Sequence, residues 1–174
     1  GDIGNEADRL NRMSQKLLLL AKTEDMSEED FEIVMIAPTI SRVVKMLSLI
    51  AEDQAIRIET DLSHDSPILI SEDDLYQIIF NLVENGIKYN VTGGTLTISL
   101  QRDEEFVTIL IQDTGVGIAD DALTHIFERF YRVDKARSRK SGGSGLGLSI
   151  VRSLVERNRG TISVESKLGS GTKF

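Results

Sequence analysis

The chain has no cysteine and no tryptophan, and only two prolines and two histidines among 174 residues. Without cysteine, a disulfide framework and a thiolate metal site are excluded. His64 and His125 lie far apart in the sequence, so we expect no structural zinc site. The longest apolar runs, such as 17–21, are much shorter than a membrane span, and acidic Asp2 and Glu6 stand where a signal peptide would need basic residues. A membrane anchor upstream of these residues stays open.

Positive charge is also in short supply. Lys and Arg number 20 against 28 Asp and Glu, which gives a net charge of −8. A nucleic-acid-binding surface is disfavoured, because such surfaces depend on accumulated positive charge. With 40% apolar residues, the chain has enough material for one well-cored domain and an additional element, but not for two full domains.

The first segment, over 2–24, has the pattern of one helix. Its apolar residues are spaced three, four and three apart and form a narrow seam, which favours pairing with another helix in a coiled coil or bundle. The alternative is a helix that folds onto its own domain. The seam residues are Leu10, Met13, Leu17 and Leu20. A polar stretch follows, in which we place a linker over 25–30.

Strands and helices alternate unevenly over 31–174. We expect strands over 31–36, 56–62, 68–70, 95–102, 106–112 and 161–166, and helices over 38–53, 71–90 and 146–158. Ser71 is the expected N-cap of the second helix, and Gly160 is expected to end the third. This order does not fit a βαβ array. It predicts an α+β fold, a two-layer sandwich with helices on one face of a mixed, mostly antiparallel sheet.

Asn81, Asn85 and Lys88 are separated by four and three residues, so we expect them to lie on one face of the second helix. Amide oxygens are ligands that suit Mg²⁺, which takes further oxygens from water and from phosphates. Lys88 could then neutralise a phosphate. Taken alone, however, these three residues fit a solvated polar stripe equally well.

Two glycine-rich segments follow. Asp113 directly follows an apolar strand and precedes Gly115 and Gly117, so a carboxylate able to accept from an amine is next to backbone that a planar base can approach. The segment 143–148 (Gly-Ser-Gly-Leu-Gly-Leu) opens a helix, and backbone N–H groups at a helix N-terminus favour phosphate. It lacks the Lys-Ser/Thr of a P-loop, and no strand precedes it. An ordinary turn is the alternative for each segment.

A basic, aromatic segment lies between them, within a long irregular stretch over about 115–145. Six cations face only two local anions there, which suggests a polyphosphate partner in this acidic protein. Three aromatics argue against a merely solubilising loop and could dock the segment onto the domain when nucleotide is bound. The cations are Arg129, Arg132, Lys135, Arg137, Arg139 and Lys140, and the aromatics are Phe127, Phe130 and Tyr131.

In this order, the four segments resemble the N, G1, F and G2 boxes of bacterial sensor histidine kinases, whose catalytic domain has the Bergerat-type ATP-binding fold shared with gyrase, Hsp90 and MutL. The resemblance covers about 31–174. It implies ATP and Mg²⁺ as ligands, and it identifies 1–24 as the second helix of a dimerisation and phosphoacceptor domain. It further implies a homodimer, a response-regulator receiver domain as partner, and a cytoplasmic location in a protein anchored in the bacterial inner membrane.

The resemblance also implies a role for each matching residue. Asn85 would coordinate Mg²⁺ with Asn81 beside it, and Asp113 would bind the adenine amine. Lys88 and Tyr89 would contact phosphate or ribose, and Arg132 the γ-phosphate. The remaining residues expected to shape the ATP site and the hinges of its lid are Gly115, Gly117, Ile118, Tyr131, Gly143, Gly145, Leu146, Gly147, Leu148 and Thr172.

Asn81 stands where the ATP-hydrolysing relatives have a glutamate, and an amide cannot act as a general base toward water. No histidine is followed by an acidic residue and a proline in the phosphoacceptor arrangement, so we expect the phosphoacceptor outside this chain. Asn158-Arg159-Gly160 replaces the usual His-Gly. Three alternatives remain: an ATP-driven conformational machine of the gyrase or MutL kind, a non-catalytic nucleotide-sensing module, and an anti-sigma serine kinase.

Overall fold

A computed structural model of the chain describes residues 31–118, 122, 125–127, 147–167 and 171–174. The helix predicted over 2–24 and the linker over 25–30 lie outside the described residues and stay predictions. Within the described residues, no helix is long and apolar enough to cross a lipid bilayer.

Seven strands and three helices make up the described part of the chain. In chain order these are β1 (Glu32–Met35), α1 (Ile36–Asp53), β2 (Arg57–Asp61), β3 (Pro67–Ile70), α2 (Glu72–Lys88), β4 (Thr95–Arg102), β5 (Val107–Asp113), α3 (Gly147–Arg157), β6 (Glu165–Lys167) and β7 (Gly171–Lys173). Apart from shifts of one or two residues at their ends, eight of the ten elements were predicted from the sequence.

Five of the strands form one sheet in the order β2-β4-β5-β7-β6, and β1 pairs with β3 in a separate antiparallel pair. Strand β2 runs parallel to β4, whereas the β4–β5, β5–β7 and β7–β6 pairs are antiparallel. The predicted α+β fold with a mixed, mostly antiparallel sheet is therefore confirmed.

The hydrophobic core lies between the sheet and the helices. Alternate residues of β4, namely Leu96, Ile98 and Leu100, are fully buried while their neighbours are half-buried, as expected for a strand with one covered face. Gly86 of α2 faces Leu96, and a β-carbon at residue 86 would come within 2.5 Å of the Leu96 side chain. Helix α2 therefore packs closely on β4, and its last turn is held near the end of β5.

Helix α1 begins at Ile36, two residues earlier than predicted, because an aspartate from another part of the chain caps it. Met35 at the N-cap position makes no side-chain capping bond. Instead, the carboxylate of Asp65 accepts from Ile36 N at 3.0 Å and from Ala37 N at 3.1 Å. Asp65 lies in the turn between β2 and β3, so β1, α1 and this turn are joined at one point.

The strand predicted over 161–166 is wrong in position, since only 165–167 form β6. Its partner β7 offers three residues, and the register pairs Glu165 with Lys173 and Lys167 with Gly171. Residues 161–164 have no strand opposite them in the described structure, so their alternating sequence pattern does not produce a ladder. His64 lies in the turn between β2 and β3, as predicted.

Candidate functional site

Asp113, the last residue of β5, is a buried carboxylate that is only partly satisfied. Its Oδ1 accepts hydrogen bonds from Gly115 N at 2.8 Å and from Thr172 N at 3.2 Å. No described residue donates to its Oδ2. Burial raises the pKa of the Asp113 carboxyl above its ordinary value because it disfavours the charged form, and the two N–H groups offset part of that increase. The second oxygen is thus available to a ligand.

The backbone around Asp113 is packed so closely that two positions must be glycine. A β-carbon at Gly115 would overlap the carbonyl oxygen of Tyr89, which accepts from Val116 N at 3.2 Å. Gly171 has a φ of +90°, and a β-carbon there would overlap the carbonyl of Asp113. The end of α2, the segment after β5 and the start of β7 therefore meet at the carboxylate without side chains between them.

Asn90 and Thr114 fix this meeting point, although neither was assigned a role from the sequence. Thr114 Oγ1 lies 3.0 Å from Asn90 Oδ1 and accepts from Thr95 N at 2.9 Å. Asn90 Nδ2 donates to Thr95 O at 3.1 Å. The only feature of the sequence that could have identified them is their position directly after Tyr89 and Asp113. Their contacts depend on the packing of α2 against β4 and β5.

Helix α2 brings the predicted amide and lysine residues to the same end of the domain. Asn85 is half-buried and lies one turn before Tyr89, whose N–H donates to Asn85 O at 3.0 Å. Asn81, one turn earlier, is only 4% exposed, and its Nδ2 is buried without a hydrogen-bond partner in the described structure. A buried amide left unsatisfied destabilises the fold unless a ligand satisfies it.

Lys88 forms an ion pair within helix α2 that was not predicted from the sequence. Its Nζ lies 3.3 Å from Glu84 Oε1, and both side chains are about three-quarters buried. In order to bind a phosphate, Lys88 would therefore have to leave the Glu84 carboxylate or contact both groups at once.

The start of the long irregular stretch is anchored to the domain by Phe127. The Phe127 ring meets the Phe174 ring edge-on, with centroids 6.4 Å apart, and the Arg152 guanidinium carbon lies 5.9 Å from the Phe127 centroid. Ala122 and Ile126 are buried as well. Phe127 thus contacts the rest of the domain, whereas docking of the aromatics on nucleotide binding stays a prediction.

The remaining predicted residues divide into two groups. Gly117 has a φ of +74°, Ile118 N donates to Ser166 Oγ at 2.7 Å, and Gly147 and Leu148 begin α3. A β-carbon at Gly147 would meet open space, so no described contact requires glycine there. The predicted residues that lie outside the described residues are Tyr131, Arg132, Gly143, Gly145 and Leu146, together with the other five cations and Phe130.

Metal ligands of the carboxylate and histidine kind are scarce around the site. The described part of the chain has no group of three or more His, Asp or Glu side chains that could hold a metal ion. At this end of the domain, α2 offers the amide oxygens of Asn81 and Asn85 as hard ligands, whereas the carboxylate of Glu84 is paired with Lys88.

Comparison with known proteins places this geometry in a family. A family model described as "Histidine kinase-, DNA gyrase B-, and HSP90-like ATPase" matches residues 70–174. Sensor histidine kinase RppB of Synechocystis sp. is 38% identical over 174 residues, covering 99% of this chain and 38% of that protein. Sensor histidine kinase WalK of Bacillus subtilis is 34% identical over 171 residues, covering 97% of this chain and 28% of that protein. The chain thus spans less than half the length of these relatives.

A solved structure is similar over almost the whole chain. The crystal structure of full-length ShkA in complex with AMPPNP matches with a TM-score of 0.80 and 29% identity, covering 97% of this chain and 35% of that one. The family resemblance seen in the four sequence segments is confirmed. Because the family model covers more than half of its residues, the chain belongs to the family of histidine kinase-, DNA gyrase B- and HSP90-like ATPases.

Proposed function

We propose that this chain binds Mg-ATP and, as the catalytic domain of a sensor histidine kinase, transfers the γ-phosphate to a histidine outside the given residues. The observation that carries the proposal is the incompletely satisfied carboxylate of Asp113, closely surrounded by Gly115, Gly171 and the end of α2. The similarity to sensor histidine kinases supports a histidine as the acceptor of the phosphate.

Asp113 would recognise the base. Its Oδ1 is held by two backbone N–H groups, which leaves Oδ2 to accept from an exocyclic amine. Because the carboxylate is buried, water competes weakly for it, and a hydrogen bond to a charged group is stronger than one between neutral groups. Gly115 and Gly171 let the backbone close around this carboxylate, because a β-carbon at either residue would overlap a neighbouring carbonyl group.

Asn81 and Asn85 would serve the phosphate end of the nucleotide. The buried, unpartnered amide of Asn81 fits a ligand that supplies the missing hydrogen bond, and rotating that amide would present its oxygen instead. The amide oxygen of Asn85 fits Mg²⁺, which when bound would neutralise phosphate charge. Lys88, released from Glu84, and Arg132 would contact the phosphates, with Tyr89 near the ribose. Asn81, Lys88 and Arg132 are the proposed catalytic residues.

Position 81 determines what the site does with the nucleotide. An amide cannot take a proton from water, so Asn81 favours a site that positions ATP for another acceptor over one that hydrolyses it. This is the property that separates a kinase from a conformational machine driven by ATP hydrolysis.

The proposal extends to the whole protein. Residues 1–24 would be the second helix of the dimerisation and phosphoacceptor domain, 25–30 a linker and 31–174 the catalytic domain. A dimer mate or the same chain would supply the histidine, and a response-regulator aspartate would receive the phosphate. The complete protein would be anchored in the bacterial membrane with this domain in the cytoplasm.

Calorimetry with Mg-ATP, followed by incubation with radiolabelled ATP, tests the proposal. We expect binding without self-labelling, and labelling once a chain extended upstream by its preceding helix is used. Undetectable binding would favour a non-catalytic module. Strong labelling of His64 or His125 would refute the assignment of the phosphoacceptor to another segment. Rapid ATP turnover that Asn81→Ala abolishes would favour the ATP-driven machine.

A further inference from the structure

Asp113, Thr172 and Ser166 form one row of polar side chains across three strands. Asp113 of β5 is the register partner of Thr172 in β7, and Thr172 is the register partner of Ser166 in β6. Register partners of antiparallel strands present their side chains on the same face of the sheet. Ser166 therefore lies next to the proposed base-binding residues, but nothing above gives it a role.

The hydroxyl of Ser166 makes three hydrogen bonds. Its Oγ lies 2.7 Å from Ile118 N, 2.9 Å from Gly171 O and 2.8 Å from Thr172 Oγ1. A serine hydroxyl has one proton to donate and two lone pairs with which to accept. These three bonds therefore use its full capacity.

The nature of the partners decides which atom donates in each bond. Ile118 N–H can only donate, and the carbonyl of Gly171 can only accept, so the Ser166 proton points to Gly171 O. The bond between the two hydroxyls must then be donated by Thr172 Oγ1. With its proton committed to Ser166, Thr172 retains only lone pairs for any other group that it contacts.

We propose that Ser166 is a specificity-determining residue, which selects the base by holding the Thr172 hydroxyl as an acceptor beside the Asp113 carboxylate. The inference rests on the proposed nucleotide-binding function and deepens it. Two acceptors directed at position 6 of the base favour adenine, whose amine has two protons to donate, over hypoxanthine, whose carbonyl has none. Ser166 acts through Thr172, so it is a positioning residue. Its hydroxyl also links the backbone of Ile118 to that of Gly171.

Calorimetry with Mg-ATP and Mg-ITP tests this inference, because ITP carries a carbonyl where ATP carries the 6-amine. The unchanged chain should bind ATP more tightly. In Ser166→Ala the Thr172 hydroxyl can turn and donate to a carbonyl, so the ratio of ATP to ITP affinity should fall about fivefold or more, the equivalent of one net hydrogen bond. Ser166→Thr keeps the hydroxyl and should keep the ratio. Ser63→Ala removes an exposed hydroxyl bonded to Asp61 and is the matched control.

The outcomes separate the inference from the function on which it rests. A folded Ser166→Ala variant that keeps the ATP to ITP ratio overturns the role of Ser166 alone. An unchanged chain that binds neither nucleotide overturns the proposed function. Should Ser166→Ala lack a cooperative thermal transition, Thr172→Val removes the acceptor while keeping the side-chain shape. An unaltered ratio in that variant would equally overturn the inference.

Discussion

Asp74 and Asp113 are both buried carboxylates, with 4% and 8% of their surface exposed, but their surroundings differ. Asp74, in the first turn of α2, faces Arg157 Nη2 at 3.2 Å and accepts from Asn158 Nδ2 at 2.9 Å. Asp113 faces no cation in the described part of the chain and has backbone N–H groups on one oxygen only. A buried carboxylate that is neutralised by a cation joins the secondary-structure elements that carry the two groups. A buried carboxylate with an oxygen that lacks a partner is available to a ligand.

The cluster around Asp74 joins the start of α2 to the end of α3. Ser71 Oγ accepts from Asp74 N at 3.4 Å, and Ser71 N donates to Asn158 Oδ1 at 3.1 Å. Asn158 Nδ2 also donates to Leu154 O at 2.7 Å. One asparagine thus links both helix ends, so its place in the sequence motif Asn158-Arg159-Gly160 has a structural explanation independent of nucleotide.

The largest effect on stability is expected from Asp74→Ala. Removing this carboxylate leaves the Arg157 charge buried without its aspartate, which should lower the free energy of unfolding by about 3–5 kcal/mol. Urea denaturation measures the loss. Asp73→Ala removes an exposed carboxylate from the same helical turn and should change it by less than about 1 kcal/mol. Equal losses in the two variants would contradict the structural role of Asp74.

Asp113→Asn should weaken nucleotide binding without lowering stability, in contrast to Asp74→Ala. Loss of the charged acceptor should weaken Mg-ATP binding about 10- to 100-fold, the range for a hydrogen bond to a charged group. The free energy of unfolding at neutral pH should not fall, because burial disfavours the native charged form. Calorimetry and urea denaturation of the same sample measure both quantities. A large loss of stability with unchanged binding would mean that Asp113 is structural like Asp74.

The pH dependence of Asp113 should be opposite in sign for stability and for binding. Its pKa is raised in the folded state, so the folded protein takes up this proton more readily than the unfolded chain. The contribution to stability is present in acid and is lost as pH rises through the raised pKa. Mg-ATP affinity should instead fall as pH drops through the same window, because the protonated carboxyl is a weaker acceptor. Measuring both against pH in wild type and Asp113→Asn isolates this group, and parallel curves for the two proteins would contradict the assignment.

A third aspartate, Asp65, tests whether a carboxylate satisfied by N–H groups alone can be structural. Because it caps α1 from a distant turn, Asp65→Ala should lower the free energy of unfolding by about 1–2 kcal/mol without changing Mg-ATP affinity. Asp65→Asn keeps an acceptor and should lose only part of this. Thermal denaturation compares the two, and identical losses would indicate that the cap is not the cause.

Local patterns predicted most of the fold and part of the site. The residues around Asp113 could be recognised because an aspartate followed by glycines at the end of a strand is a local pattern. Such a pattern involves only residues that are neighbours in the sequence. The cap from Asp65 to Ile36 joins residues 29 positions apart, and the bond from Asn158 to Asp74 joins residues 84 positions apart. The row from Asp113 to Ser166 depends on the register of three strands. No single-sequence pattern encodes these pairings, because each follows from how the helices pack on the sheet.

The smallest expected effect concerns Arg159, which adopts a left-handed conformation with φ of +64° at the end of α3. Gly160 N donates to Val155 O at 2.9 Å and Arg159 N to Glu156 O at 3.0 Å, a helix ending that favours glycine at residue 159. Arg159→Gly should therefore change the free energy of unfolding by at most about 1 kcal/mol, since relieved backbone strain is offset by the greater freedom of glycine in the unfolded chain and by the loss of a further Arg159 interaction. Ala55→Gly, at φ of +56° and without a charge change, is the matched variant and should be stabilising. If both variants are less stable than wild type, backbone strain does not govern these two turns.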